Sequence, residues 1–320
     1  MEKKILITGV AGFIGSNLAL YLAHGGRSEE SREHFEVIGI DNLSYGLRDN
    51  VPPQVNFHEL DIRSEEIFDL FHGVDTVFHL AAKNCISDCQ LDPVETADVN
   101  VTGTVNVFEA ARRAKIRKIV YAESSALYEG SRLFPTPEEE NKPESFYAVS
   151  KLSSRSFAQA YRRYYGMTFT ALRYFCVYGP VQDYRRTIPP VMSAFIIKLL
   201  KGEPPIIYGT GTKRRDFVYV DDVTEFHLKC LIDPRTDNKT FNLGSGTNHS
   251  VLEIYEIISA LLGKRIEPLL RPDLPGEAEA TLADISEARK LGWAPKTDLK
   301  SGLLKAIEYI KGEMEKGRIP

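Results

Sequence analysis

The sequence predicts an α/β fold, in which a doubly wound parallel sheet carries a smaller α/β substrate domain over one edge. Short apolar runs, typical of buried parallel strands, alternate with helical patterns over the first part of the chain. After Gly179 the sequence becomes richer in proline and less regular. We therefore expect a large domain over residues 1–178, to which segments around 215–245 return, and a second domain over residues 179–320.

Each predicted element follows from a local pattern. Mostly apolar segments predict strands at residues 4–8, 36–40, 76–80, 118–122 and 168–173, and a further strand is expected at residues 56–59 between two helical patterns. Apolar residues at helical spacing predict helices at residues 12–23, 94–114 and 146–165. Because strands and helices alternate, the strands should run parallel, with helices on both faces of the sheet.

The first strand leads directly into a glycine-rich turn and a helix. Gly9 allows the tight turn, Gly12 lets the backbone approach a pyrophosphate at the helix N-terminus, and Gly15 lets helix and strand pack closely. This Rossmann-type arrangement predicts dinucleotide binding. The alternative at this point is a glycine-rich turn that binds no ligand.

The second predicted strand ends in Asp41, where a dinucleotide site places the acid that binds the adenosine ribose. This acid comes a few residues later than usual, and the polar stretch at residues 25–31 explains the delay as a longer loop. A carboxylate at this place would repel a 2′-phosphate. The sequence therefore favours NAD over NADP.

Tyr147 and Lys151 lie four positions apart on a predicted helix and so share one face. An ammonium group near a phenol lowers the pKa of the phenol, which would make Tyr147 a usable base near neutral pH. Ser124, supplied by another segment, could hydrogen-bond the same substrate oxygen. A tyrosine and a lysine at this spacing often occur by chance, but together with the glycine-rich turn they predict a nicotinamide redox site.

Composition excludes several other classes of protein. The chain has 320 residues and a net charge of −4, which gives no reason to expect nucleic acid or an anionic membrane as a partner. The sequence contains no apolar stretch long enough to span a bilayer and begins with a poor signal peptide, so we expect a cytoplasmic protein. Cys85 and Cys89 lack a second closely spaced pair of ligands, and only His79 lies near them in sequence, so no metal site is expected.

Many short motifs in order resemble one family. The chain is similar to the extended short-chain dehydrogenase/reductases, and among them to the NAD-dependent nucleotide-sugar epimerases and dehydratases, most closely the UDP-glucose and UDP-N-acetylglucosamine 4-epimerases. The resemblance covers essentially the whole chain and rests on TGVAGFIG at 8–15, DNLS at 41–44, LDI at 60–62, FHLAA at 78–82, NVTGT at 100–104, YAESS at 121–125, YAVSK at 147–151, LRYF at 172–175, YGP at 178–180, RDFVYV at 215–220 and FNLG at 241–244.

The resemblance implies a role for individual residues. Tyr147, Lys151 and Ser124 would be catalytic. Asp61 and Ile62 would contact adenine, and Arg215 would bind the nucleotide diphosphate. NAD would be held by Gly9, Gly12, Phe13, Ile14, Gly15, Asp41, Asn42, Asp61, Ile62, Leu80, Ala81, Ala82, Asn100, Tyr147 and Lys151, and the UDP-sugar by Ser124, Ser125, Tyr147, Cys176, Arg215, Arg271 and Thr281. Family members pair through helices that correspond to residues 94–114 and 146–165, so a homodimer is expected.

The chain departs from the family pattern at several places. Cys176 stands where an asparagine would hydrogen-bond the diphosphate, and a thiol is a weak substitute. Leu274 stands where the epimerases carry a phosphate-binding arginine, and Arg271 is nearby but out of register. Cys85 and Cys89 stand where the family often has serines. These departures bear on the sugar-nucleotide contacts and leave the reaction type unchanged.

The resemblance favours 4-epimerisation among the reactions of the family. Dehydratases carry an acid and a base directly after the catalytic hydroxyl, whereas this chain has Ser125 and Ala126 there. Thr281 takes the place of a tyrosine that crowds N-acetyl groups, which predicts activity on UDP-N-acetylglucosamine and UDP-N-acetylgalactosamine as well as UDP-glucose and UDP-galactose. The alternatives are another nucleotide-sugar epimerase or dehydratase, or a non-catalytic NAD-binding regulator.

Overall fold

The computed structural model describes residues 3–24, 35–186, 188–273 and 277–319. Its strands are β1 Lys3–Thr8, β2 Phe35–Asp41, β3 Asn56–Glu59, β4 Thr76–His79, β5 Lys118–Ser124, β6 Thr168–Tyr174, β7 Cys176–Tyr178, β8 Ile206–Tyr208, β9 Arg214–Tyr219, β10 Lys239–Leu243, β11 Asn248–Ser250 and β12 Leu269–Arg271. Its α-helices are α1 Phe13–Ala23, α2 Ile86–Leu91, α3 Pro93–Ala97, α4 Gly103–Arg113, α5 Phe146–Tyr165, α6 Val191–Lys201, α7 Val220–Ile232, α8 Val251–Leu262, α9 Ser286–Lys290 and α10 Leu299–Glu315.

A parallel sheet in the order β3-β2-β1-β4-β5-β6-β10 forms the centre of the molecule. Its apolar strands are buried on both faces, as Ile5, Leu6 and Ile7 show, each fully buried in β1. The predicted Rossmann-type parallel sheet is confirmed. Strand order reverses between β1 and β4, and in such sheets the ligand binds outside the carboxyl ends of the strands at this reversal.

The helices follow the predicted pattern with one difference. Helix α5 begins after Ser145, whose side chain accepts a hydrogen bond from the Ala148 amide, and ends at Gly166 in the left-handed conformation. The helix predicted at 94–114 is instead α3 and α4 joined by a π-helical turn over Asp98–Thr102. Such turns widen a helix locally and are frequent at functional sites.

The second part of the chain returns to the first sheet. Strand β10 pairs with β6, and α7 contributes Phe226 and Cys230 to the same apolar core as Leu18 of α1. Strand β9 lies instead in a small sheet between β7 and β11, and β12 pairs with β8. Helices α6, α8 and α10 pack around these small sheets through buried residues that include Phe195, Ile254 and Leu303.

A buried ion pair fixes the ends of β5 and β6. Arg173 Nε donates to Glu123 Oε2 at 2.7 Å, and both side chains are fully buried. Arg173 Nη1 also donates to the Tyr128 hydroxyl at 2.6 Å, and that hydroxyl donates to Asn242 Oδ1 in β10 at 2.7 Å. The network therefore holds three neighbouring segments in place immediately beside Ser124.

Some expectations fall outside the described residues. The stretch at residues 25–31, expected to form a longer loop, lies there, as does Leu274. Within the described ranges, every helix is too short or too polar to cross a membrane.

Candidate active site

The glycine-rich turn places the backbone close to the strand opposite. Gly9 has φ +74°, and a Cβ atom on it would lie 2.7 Å from the Ala81 nitrogen. A Cβ atom on Gly15 would lie 2.1 Å from the Gly9 oxygen. Gly12 precedes α1 without a side-chain cap, so the first amides of the helix remain available to an anion.

Asp41 ties the end of β2 to this turn. Its Oδ2 accepts a hydrogen bond from the Ala11 amide at 3.0 Å, and its Oδ1 accepts one from the Leu43 amide at 2.9 Å. Burial raises the pKa of Asp41, and the two backbone hydrogen bonds oppose this shift. The carboxylate lines the cleft, where it can accept hydrogen bonds from a ribose diol.

Asp61 lies at the adenine side of the predicted cofactor site. Its carboxylate accepts hydrogen bonds from Asn42 Nδ2 at 2.9 Å and from Arg63 Nε at 2.9 Å. The hydrogen bonds with Arg63 lower the pKa of Asp61 to about 2, which keeps it ionised. Sequence reasoning missed Arg63, although its position two residues after Asp61 was a usable signal.

Asn100, in the π-helical turn, joins the loop after β4 to α5. Its Oδ1 accepts a hydrogen bond from the Lys83 amide at 2.8 Å, and its Nδ2 donates to the Lys83 carbonyl and to Ser150 Oγ, both at 2.9 Å. Ser150 in turn donates to the Tyr147 carbonyl at 2.7 Å. The buried amide thus supports the cofactor loop and the first turn of α5 from behind.

Ser124 and Tyr147 are brought together at the end of β5. Ser124 Oγ accepts a hydrogen bond from the Ala126 amide at 3.2 Å, and it lies close enough to the Tyr147 phenol to lower its pKa. Lys151, one turn further along α5, is buried like Tyr147. The predicted catalytic residues therefore share one pocket wall.

Burial dominates the electrostatics of this group. It raises the pKa of Tyr147 to about 12, and the nearby Ser124 hydroxyl and the charge of Arg186 only partly offset this shift. The expected effect of Lys151 on the phenol of the working enzyme stays a prediction. Burial also lowers the pKa of Lys151 to about 8, although Glu123 acts in the opposite direction.

One cleft of about 1560 Å³ contains almost all predicted site residues. Two of them do not line it. Asn100 lies behind the wall, as described above. Arg271 is on the exposed strand β12, where its carbonyl accepts a hydrogen bond from the Gly209 amide at 2.9 Å, and its contact with substrate stays a prediction. The predicted residues that line the cleft are Gly9, Gly12, Phe13, Ile14, Gly15, Asp41, Asn42, Asp61, Ile62, Leu80, Ala81, Ala82, Ser124, Ser125, Tyr147, Lys151, Cys176, Arg215 and Thr281.

The far end of the cleft is formed by the second part of the chain. Burial raises the pKa of Cys176 to about 11, so its thiol is neutral. Thr281 Oγ1 accepts a hydrogen bond from the Asp216 amide at 3.1 Å. Sequence reasoning missed Lys213 and Glu277, which also line this end. The position of Lys213, two residues before Arg215, was the signal, since alternate residues of a strand share a face.

The fold and the site together define a nicotinamide-dependent enzyme of the Rossmann type. The sequence profile of the NAD dependent epimerase/dehydratase family matches residues 5–244. The chain belongs to this family, and its cofactor is NAD.

Similar proteins cover nearly all of the chain. It is 37% identical over 311 residues to the putative UDP-glucose 4-epimerase of Methanocaldococcus jannaschii, covering 96% of this chain and 98% of the relative. The structure of Thermotoga maritima UDP-glucose 4-epimerase with UDP-glucose has a TM-score of 0.91 at 33% identity and covers 97% of this chain and 99% of that one. UDP-N-acetylglucosamine 4-epimerase from Methanobrevibacter ruminantium, in complex with UDP-N-acetylmuramic acid, has a TM-score of 0.90 at 30% identity and covers 98% and 99%.

The pKa of Lys151 leads to a prediction about cofactor affinity. Below about pH 8 the side chain is an ammonium group that can donate to ribose hydroxyls, and above it the charge and one donor are lost. We therefore expect the affinity for NAD to fall as the pH rises through this value. Calorimetric titration of NAD-free protein measures it, with Lys151→Met as the control that should bind weakly and show no such fall. Equal pH dependence in both proteins would contradict the prediction.

Proposed function

We propose that this chain is a UDP-sugar 4-epimerase that interconverts UDP-N-acetylglucosamine and UDP-N-acetylgalactosamine, and also UDP-glucose and UDP-galactose. The observation that carries the proposal is that Ser124, Tyr147 and Lys151 line one cleft together with the dinucleotide turn. The large domain over residues 1–178, with returning segments around 215–245, would hold NAD. Residues 179–320 would mainly hold the nucleotide sugar.

The proposed reaction uses one proton acceptor. Tyr147 takes the proton of the sugar 4′-hydroxyl while Ser124 orients that oxygen, and hydride leaves C4. NAD, when bound, would accept this hydride and return it to the other face of the sugar once the 4-keto sugar has rotated. Tyr147 then returns the proton to the oxygen at C4.

The surroundings of Ser124 favour epimerisation over dehydration. Ser125 and Ala126 follow it and carry no carboxyl group, while Glu123 is buried in its ion pair with Arg173. Elimination of water needs an acid and a base beside the reacting carbons. Epimerisation at C4 needs only Tyr147 as the proton acceptor, Ser124 to orient the oxygen, and NAD.

Thr281 supports activity on N-acetylated sugars. It lines the cleft, and its hydrogen bond with the Asp216 amide holds the small side chain against the wall. A threonine leaves free the volume that an aromatic ring would fill. The similarity to a UDP-N-acetylglucosamine 4-epimerase is consistent with this proposal.

We also propose a cytoplasmic homodimer. Several apolar side chains on the neighbouring helices α2, α3 and α5 are exposed, namely Leu91, Val94, Phe146, Val149 and Phe157. Exposed apolar patches of this kind are typical of protein interfaces. The described cysteines are all unpaired, which supports a reducing compartment.

Removing the proton acceptor tests the mechanism. Tyr147→Phe should lower turnover of UDP-sugars by a few orders of magnitude and leave NAD bound, because only the base is lost. Turnover is measured by product quantification and NAD content by absorbance. Tyr164→Phe, on the exposed end of the same helix, is the matched control and should retain full activity. Near-normal turnover in Tyr147→Phe would show that another group is the base.

Substrate size is tested at Thr281. The unmodified enzyme should convert both pairs of UDP-sugars, and Thr281→Tyr should lose activity on the N-acetylated pair far more than on the simple hexoses. Thr281→Ser, which keeps the hydroxyl bonded to the Asp216 amide, should leave the ratio of the two activities unchanged. A parallel loss of both activities in Thr281→Tyr would remove the size argument.

The oligomeric state follows from the exposed helices. Sedimentation at micromolar protein should give the mass of a dimer, and Val94→Glu should give a monomer because a charge would be buried in the apolar interface. Leu270→Glu, at another exposed apolar side chain, on β12, is the control and should remain dimeric. A monomeric mass for the unmodified protein would contradict the proposal.

A further inference from the structure

Lys213 and Arg215 present two cations to the same end of the cleft. Lys213 directly precedes β9, and Arg215 is the second residue of that strand. Both line the cleft, although only 8% of Lys213 is exposed. Arg214, between them, points the other way, and its Nη1 donates to Glu253 Oε1 at 3.0 Å. Because side-chain directions alternate along a strand, Lys213 and Arg215 face the cleft and Arg214 faces the surface.

Both cations approach one carboxylate. Glu277 Oε2 lies 3.5 Å from Lys213 Nζ and 3.7 Å from Arg215 Nη2. These distances exceed the usual range for a hydrogen bond, so Glu277 attracts both cations without occupying their donors. One anionic group can therefore lie within ion-pair distance of both cations at this end of the cleft.

Lys213 is held in place and keeps capacity for a ligand. Its Nζ donates to Asp273 Oδ1 at 2.6 Å. An ammonium group has three donors, so this contact leaves two of them for another acceptor. The Arg215 guanidinium donates from Nη1 to the Arg214 carbonyl at 3.0 Å and has further donors.

The diphosphate of a nucleotide sugar carries two negative charges. The substrate residues predicted from the sequence supply too few positive charges to balance them. Cys176 is a neutral thiol, and Arg271 lies outside the cleft. By sequence, Leu274 occupies the position of an expected arginine. Among the substrate residues predicted from the sequence, Arg215 is then the remaining cation.

We propose that Lys213 is a further substrate-binding residue, whose ammonium group binds the diphosphate of the nucleotide sugar beside Arg215. A lysine acts here as a point charge, whereas the guanidinium adds directional hydrogen bonds. The proposal rests on the proposed function and deepens it, since it names the residue that replaces the missing arginine.

The test measures binding of UDP and of uridine to the NAD-loaded protein by calorimetry. Lys213→Ala should weaken UDP binding on the order of tenfold to a hundredfold, the usual range for a charged hydrogen bond, and leave uridine binding unchanged. Lys213→Arg should retain most of the affinity for UDP. Arg214→Ala, on the same strand but facing away, should bind UDP like the unmodified protein. With UDP-sugars, Lys213→Ala should raise KM and leave kcat nearly unchanged.

Two further variants separate the ammonium group from indirect effects. Lys213→Gln keeps most of the side-chain volume and should lose UDP affinity like the alanine variant. Lys213→Ala alone also takes a hydrogen-bond partner from the Asp273 carboxylate. The double variant Lys213→Ala/Asp273→Asn removes the charge of that carboxylate as well. If UDP affinity is still reduced in the double variant, the missing ammonium group is the cause.

The outcomes distinguish this proposal from the proposed function. Unchanged UDP affinity in both Lys213→Ala and Lys213→Gln, or an equal loss of uridine affinity, would overturn the role of Lys213. If the unmodified protein binds UDP with the expected dependence on Lys213 but converts no UDP-sugar, the 4-epimerase function fails and the binding role stands. Failure of the unmodified protein to bind UDP would overturn both.

Discussion

The close approach of two backbones at the strand reversal is the constraint on which the site depends. Gly9 lies so near Ala81 that even a methyl group would not fit, and Gly15 packs as closely on Gly9. This contact brings the carboxyl ends of β1 and β4 and the start of α1 together at one end of the cleft. A side chain at Gly9 or Gly15 would displace the turn between β1 and α1.

Buried polar networks hold the reacting groups against this frame. The ion pair between Glu123 and Arg173 fixes the end of β5, and Asn100 fixes the start of α5 through Ser150. Each network joins segments that are distant in sequence, and their buried polar atoms are hydrogen-bonded. Ser124 and Tyr147 are therefore positioned by the interior of the protein more than by their own loops.

Much of the fold was predictable because it depends on local patterns. Strands such as β1 and β4 follow from their short apolar runs, and α5 follows from its periodicity. The pairing of β10 with β6 is not local, so no pattern in its few residues identifies its neighbour. The π-helical turn at Asn100 was missed because it keeps the apolar spacing of a helix.

The candidate site likewise combines features that local sequence reveals with features that depend on the folded structure. Ser124, Tyr147 and the glycines were predicted from the sequence and line one cleft, but the pKa of Tyr147 depends on burial, which the spacing of Tyr147 and Lys151 does not reveal. Arg271 was chosen because it is near in sequence, whereas strand pairing directs its segment to an exposed edge. Lys213 was overlooked because it looked like one of several adjacent surface charges.

The late return of the chain to the first sheet also matters during synthesis on the ribosome. Strand β6 has its neighbour β5 as soon as it emerges, but its other edge has no partner until β10 has been made, some 70 residues later. Until then the nascent protein presents an open edge of unpaired backbone groups, flanked by the apolar surface that Phe241 and Leu243 later cover. The growing chain is therefore most exposed to aggregation in this interval, and a chaperone that shields β6 would act there.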